Sequence, residues 1–257
     1  VLARVPASSA NLGPGFDTLA VALGLYVSVS VSPASSLSVV ASGEGSDLPA
    51  DASHLAARVA TSVAGTSKLA IEVHSEIPVG RGLGSSAALA VAAAAAAGSK
   101  DPLAVAASVD GHPENAAASV MGGLVTATMI EGTPVARTLP LDNQLRFVVL
   151  VPDLSLPTRE ARAALPATVP FADAVFNLGR LGQVVAGLAD HRHLQAPATE
   201  DRLHQPWRSP LFPAAPGLLV ELVSAGALAA CWSGAGPSLL AICTVGSAGS
   251  LAEAAAE

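Results

Sequence analysis

The segment Pro78-Val-Gly-Arg-Gly-Leu-Gly-Ser-Ser-Ala-Ala88 constrains the fold more than any other. It follows an alternation of Leu69, Ile71 and Val73 with Ala70, Glu72 and His74, and it opens an alanine-rich run that reaches Ala97. A period of two marks a half-buried strand, with His74 on the solvent side, and the alanines have high helix propensity. The implied order is strand, glycine loop, helix. Gly80, Gly82 and Gly84 permit positive φ and close backbone approach, and Ser85 and Ser86 begin the helix. Unpaired N–H groups and the positive end of the helix dipole then face one point, which favours an anion. The loop lacks the Gly-Lys-Ser/Thr ending of a Walker A motif and the glycine spacing of a Rossmann fingerprint. Taken alone it also reads as a tight strand-to-helix turn.

A chain of 257 residues supports one large or two modest domains, and two are expected. Hydrophobic residues make up 51% and charged residues 13%, so a packed core is expected rather than disorder. No apolar run approaches the roughly 20 residues of a bilayer span, and Ala92 to Ala97 reads as a buried helix. A formal net charge of −7 argues against a general nucleic-acid binder, which needs many cations along a phosphate backbone. Any phosphate must therefore be met locally. Cys231 and Cys243 are too few for a disulfide framework and lack a metal-ligand spacing, which fits a reducing, cytoplasmic compartment.

Val5 to Asp17 packs small polar residues and glycines between apolar runs and reads as a shaped loop with Asn11 and Asp17 as polar handles. Val27, Val29 and Val31 alternate with serines as a strand. Asp51 or Ser53 can cap a helix running from Leu55 to Val63, with His54 in its first turn. Asp101 and Pro102 suit the start of a helix towards Asp110, and the Gly111-His-Pro-Glu-Asn115 turn follows. Leu124 to Met129 reads as a strand, and the proline-bearing stretch Gly132 to Asn143 as the boundary between domains 1–140 and 141–257. Phe147 to Val151 is a buried strand. Thr158 can cap a helix carrying Arg162, and Phe171 to Leu188 is helical despite Gly179 and Gly182. The polar segment 198–208 holds Arg208. Two strands, 227–232 and 239–244, flank a second glycine loop, Ser233-Gly-Ala-Gly-Pro-Ser238.

Together, Pro6-Ala-Ser-Ser-Ala-Asn-Leu-Gly-Pro-Gly-Phe-Asp17, the 78–87 loop, Gly111-His-Pro-Glu-Asn115, Thr158-Arg-Glu-Ala-Arg162 and Ser233 to Ser238 resemble the homoserine kinases of the GHMP small-molecule kinase superfamily. The resemblance implies an α+β fold of two domains, an N-terminal ribosomal-protein-S5-like α/β domain and a C-terminal ferredoxin-like α/β domain. It implies ATP-dependent phosphorylation of the homoserine hydroxyl with Mg²⁺, in threonine biosynthesis, by a homodimer with no membrane or nucleic-acid partner. Pro78, Val79, Gly80, Arg81, Gly82, Leu83, Gly84, Ser85 and Ser86 would bind ATP, with His54 near the nucleotide. Asn11, Asp17, His112, Asn115, Thr158, Arg162 and Arg208 match positions near the amino acid or the transferred phosphoryl group, and Gly234 would close the pocket. Asn115 and Arg162 would serve the reaction itself.

These residue types suit that chemistry. Homoserine carries an ammonium, which Asp17 can face, and a carboxylate, onto which Arg162 and Arg208 can fork. Phosphoryl transfer needs alignment and charge neutralisation, which loop amides, serines, Mg²⁺ and an arginine supply. Two departures from the family pattern stand out. Glu114 replaces the usual Asp, and Leu103 to Val109 lacks the acidic residue that holds magnesium, leaving Ser85 and Asp110 as the nearest ligands. A kinase for another small alcohol and a binding protein without catalysis are the alternatives.

Overall fold

The computed structural model describes residues 1–256, and of Asp110 the backbone alone. The elements run β1 (Leu2–Asn11), β2 (Gly15–Pro33), β3 (Ser38–Gly43), α1 (Leu55–Ala64), β4 (Leu69–Ser75), α2 (Ser85–Ala96), α3 (Pro102–Asp110), α4 (Glu114–Met121), β5 (Leu124–Ile130) and β6 (Thr133–Leu139). After these come β7 (Leu145–Leu150), α5 (Thr158–Ala163), α6 (Phe171–Ala189), α7 (Gln205–Arg208), α8 (Ala215–Ser224), β8 (Ala229–Trp232), β9 (Leu239–Thr244) and α9 (Ala248–Ala254). The mixture is the α+β class that the sequence implies. Two compact units form: Val1–Ser8 with Ala20–Val79 and Leu83–Thr138, and Ser9–Leu19 with Gly80–Gly82 and the chain from Leu139 onward.

In the first unit the sheet order is β3-β4-β2-β5-β6, and β1 pairs with β2. Val27, Val29 and Val31 lie opposite Ser75, Val73 and Ile71 of antiparallel β4, and all six are buried. The alternating serines of β2 face the other way, as the two-residue period requires. α2 packs against α1, α3 and α4. Its alanines are buried on nearly every side, which explains why this helix has no polar stripe.

Several local expectations change. Val5 to Asp17 is a loop only at residues 12–14, because β1 continues through Asn11 and β2 resumes at Gly15. The small residues that looked like loop are strand interior, and Ser8 and Ser9 are fully buried. Gly132 to Asn143 contains β6, joined to β5 through Glu131 and Gly132 at φ 49° and 77°, the backbone that a two-residue hairpin turn demands. The N-cap of α1 is His54 rather than Asp51 or Ser53: its Nδ1 accepts from the Ala56 amide at 3.2 Å. Asp51 instead accepts from the Ser53 amide and hydroxyl. At α5 the cap position is Pro157, and Thr158 is the first helical residue with no capping bond.

In the second unit β7-β9-β8 form an antiparallel sheet on which α8 and α9 pack. Leu156, Leu222, Trp232, Leu239 and Leu251 meet in its core. The cysteines are free and buried. Burial pushes the Cys231 thiol up to about 12 and raises that of Cys243, so neither is a ready nucleophile.

The middle and the C-terminal end of α6 treat a methyl group differently. A Cβ at Gly179 meets open space, whereas one at Gly187 would lie 2.7 Å from the Leu194 Cα. Gly179→Ala should stabilise the fold by about 0.5–1 kcal/mol through helix propensity. Gly187→Ala should destabilise it by about 1–3 kcal/mol through overpacking. Thermal denaturation of both variants checks the pair, and equal shifts would contradict this packing.

Candidate active site

The first unit holds the end of the glycine loop. Gly80, Gly82 and Gly84 all have positive φ, between 67° and 75°. Gly84 is the N-cap of α2 and offers no side chain to the first-turn amides, which leaves those donors and the dipole for an anion. A Cβ at Gly84 would lie 2.1 Å from the Ser8 hydroxyl, so only glycine fits. That hydroxyl donates to Asn115 Oδ1 at 2.8 Å, which anchors Asn115 beside the loop end. Ser85 is half-buried and Ser86 exposed at the head of the helix, while Pro78 and Val79 lead into the loop. Leu83 is buried, and its carbonyl accepts from the Ser8 amide.

Asn115 Nδ2 donates to Glu114 Oε1 at 3.2 Å, and His112 Nδ1 lies 3.3 Å from the same oxygen. Glu114 is 2% exposed, and its Oε2 has no hydrogen-bond partner among the described residues. A buried carboxylate oxygen without a donor is the kind of group a hard cation satisfies. The Asp110 side chain, expected as a metal ligand, lies outside the described residues. His54 is buried, which lowers its pKa, and its Nδ1 is used as the cap of α1.

The second unit gathers Asn11, Asp17, Arg162, Arg208 and Gly234. Asn11 and Asp17 sit at φ 73° and 51°. Asn11 Nδ2 donates to the Gly234 carbonyl at 2.8 Å, and its Oδ1 accepts from the Asp17 amide at 3.1 Å. The turn therefore presents the Asp17 carboxylate to Arg162, whose Nη2 lies 2.6 Å from Asp17 Oδ1. That pair is one-third exposed on both sides. Arg208 is 1% exposed. Its Nη1 donates to the Gly234 carbonyl and to His204 Nδ1, each at 3.0 Å. The Phe16 ring lies 5.6 Å from the Arg162 guanidinium, 5.5 Å from that of Arg208, and stacks on His204. Burial and the neighbouring Arg162 bring Arg208 down to about 10, which still leaves it charged at neutral pH.

The loop residues 80–82 belong to this unit as well. Arg81 Nη1 donates to the Pro152 and Leu154 carbonyls, and the Gly80 carbonyl accepts from Leu156. Ser233 Oγ donates to the Gly82 carbonyl at 2.7 Å and lies 2.8 Å from Ser9 Oγ. Thr158 is exposed at the start of α5.

Residues 52–123 match the family model of the GHMP kinases N terminal domain. A homoserine kinase of Streptomyces avermitilis is 42% identical, with 100% of this chain and 90% of that protein covered. The homoserine kinase of Moorella thermoacetica is 38% identical over 94% of this chain and 87% of its own. The chain belongs to the homoserine kinase family. The crystal structure of homoserine kinase from Cytophaga hutchinsonii superposes with a TM-score of 0.85 at 28% identity, covering 99% of this chain and 89% of that one. The GHMP fold extends further, to L. major mevalonate kinase, at TM-score 0.75 and 14% identity.

Within this homoserine kinase family member, the structure adds residues that the sequence did not single out. His204, Asp201 and Asn177 are buried. Asp201 accepts from the amides of Leu203, His204 and Gln205 and from Asn177 Nδ2. Asn177 Nδ2 also reaches the Pro14 carbonyl. An Asp in a polar stretch is a signal for an Asx-type turn, and His204 stands four residues before Arg208, one turn away. Those spacings were the available clues.

Burial, with Arg208 adding to it and Asp201 opposing it, pushes His204 down to about 4. When unfolded it would titrate near 6.5, so between these values the unfolded chain binds the extra proton and stability falls as pH drops. Lowering the pH from about 7 to 5 should cost about 2 kcal/mol through this residue. His54 acts in the same direction. Denaturant melts of the parent and His204→Asn across that range check it, with a flatter pH dependence expected for the variant.

Proposed function

We propose that the chain transfers the γ-phosphoryl group of ATP to the side-chain hydroxyl of L-homoserine, forming O-phospho-L-homoserine on the route to threonine. The observation that carries the substrate class is the Asp17–Arg162 pair at 2.6 Å, partly exposed. Such a pair contributes only about 0–1 kcal/mol and opens at little cost. A zwitterion replaces it charge for charge: its ammonium takes Asp17 and its carboxylate takes Arg162. The buried, permanently cationic Arg208 adds field for the carboxylate. Thr158, His112 and Gly234 complete the substrate-binding set, and Asn11 fixes the turn that bears Asp17.

In the same reading, residues 78–86 bind the ATP phosphates, with His54 near the nucleotide. Backbone amides at the head of α2 meet negative charge without side-chain rearrangement. Asn115, held by Ser8, orients the accepting hydroxyl. The hydroxyl oxygen forms the new bond to the γ-phosphorus as the bond to the β,γ-bridging oxygen breaks, ADP leaves, and the hydroxyl proton is released. No side chain is assigned as general base. Magnesium would be held by oxygen donors, and Ser85, Asp110 and Glu114 Oε2, unpartnered among the described residues, are the candidates. When bound it neutralises phosphate charge. The division into domains 1–140 and 141–257, a homodimer and a cytoplasmic location belong to this proposal. Among the described residues, no helix is long and apolar enough to cross a membrane.

Coupled ADP release on adding L-homoserine to protein, ATP and Mg²⁺ tests the activity, and its absence overturns the reading. Asp17→Asn should raise the KM for homoserine by about tenfold or more while changing that for ATP little. Equal activity on an alcohol lacking the ammonium would instead point to another small alcohol.

A further inference from the structure

The second unit contains a buried imidazole whose two nitrogens are committed to different elements. His204 is 0% exposed. Its Nε2 lies 2.8 Å from the Gly13 carbonyl and its Nδ1 lies 3.0 Å from Arg208 Nη1. A carbonyl only accepts and a guanidinium only donates, so the partners dictate the proton's position. Nε2 carries it and donates to Gly13, while bare Nδ1 accepts from Arg208. The imidazolium would turn Nδ1 into a donor facing a donor. Gly13 has no room to yield, since a Cβ there would lie 2.2 Å from the Thr199 carbonyl.

We propose that His204 is a positioning residue of the amino-acid subsite, fixing the Arg208 guanidinium with bare Nδ1 while Nε2–H, donating to the Gly13 carbonyl, holds the ring in that tautomer. The proposal rests on the homoserine kinase reading for what the subsite binds. The cation that supplies field for the substrate carboxylate is placed through this ring. Asp201 sets the backbone of His204 by accepting from its amide at 2.8 Å, and Asn177 ties Asp201 to the Pro14 carbonyl. Asp201 Oδ2, 3.6 Å from Nε2, is a further acceptor on the nitrogen that carries the proton, and the stack on Phe16 at 5.2 Å between centroids is packing with no directional demand on protons.

Two amides separate these roles. Asparagine places a polar atom where Nδ1 sits and keeps the acceptor for Arg208, whereas glutamine reaches the Nε2 position and loses it. His204→Asn should keep the homoserine KM within about threefold of the parent, and His204→Gln should raise it by about tenfold or more, the scale of one hydrogen bond to a charged group. The ATP KM should stay near the parent value in both. Equal homoserine KM values in the two variants, whether unchanged or raised together, would overturn the proposal in favour of simple packing. A parent chain with no homoserine-dependent ADP release would instead defeat the functional reading. The ring itself is then decided by ¹⁵N NMR of the unmodified protein at neutral pH, which also covers variants that fail to fold. A protonated Nε2 with a bare Nδ1 is expected, and the opposite tautomer or an imidazolium overturns the proposal.

Discussion

The Arg208 guanidinium lies inside the C-terminal unit, 1% exposed, and a cation removed from water must be matched by fixed acceptors or it costs several kcal/mol. The local architecture follows from that demand. The Gly234 carbonyl turns inward to accept from Arg208 and from Asn11. His204 stays neutral to offer Nδ1, and Phe16 presents its ring to the guanidinium. These contacts come from different stretches of sequence: the 11–17 turn, His204 at the head of the short helix α7, and the 233–238 loop. Removing any one acceptor would leave part of a buried charge unsatisfied, at about 1–3 kcal/mol.

Arg162 works under the opposite condition. It shares Phe16 with Arg208, yet about a third of its side chain is exposed, and it is paired with Asp17 rather than with backbone carbonyls. Screening by solvent keeps that pair weak. One arginine is thus built in and the other is partly exposed, a division of labour that suits the proposed capture of a small zwitterion. In the proposed function, a protein of net charge −7 meets an anionic group through these two arginines, which share the Phe16 ring.

Much of this was legible in the sequence. Strand β4, the glycine loop and α2 follow from a period of two, three spaced glycines and an alanine run, and Asn11, Asp17, Arg162, Arg208 and Gly234 were named from motifs alone. The failures have physical causes. Ser8 and Ser9 resembled loop residues because small polar side chains carry no hydrophobic signal, although both are strand interior. β6 hid behind Pro134 and Pro140, since the hairpin is set by the backbone of Glu131 and Gly132. His204 was missed because a lone histidine in a polar segment shows nothing of its burial; Asp201, three residues earlier, accepts from the amides of residues 203–205, a turn whose meaning appears only once α7 exists.

A structure with L-homoserine bound tests the central claim most directly, because it shows whether the Asp17–Arg162 pair gives way to the substrate. The account predicts the ammonium on Asp17, the carboxylate on Arg162, and Arg208 still bonded to His204 Nδ1 and the Gly234 carbonyl. An intact Asp17–Arg162 pair with the amino acid bound elsewhere would contradict it.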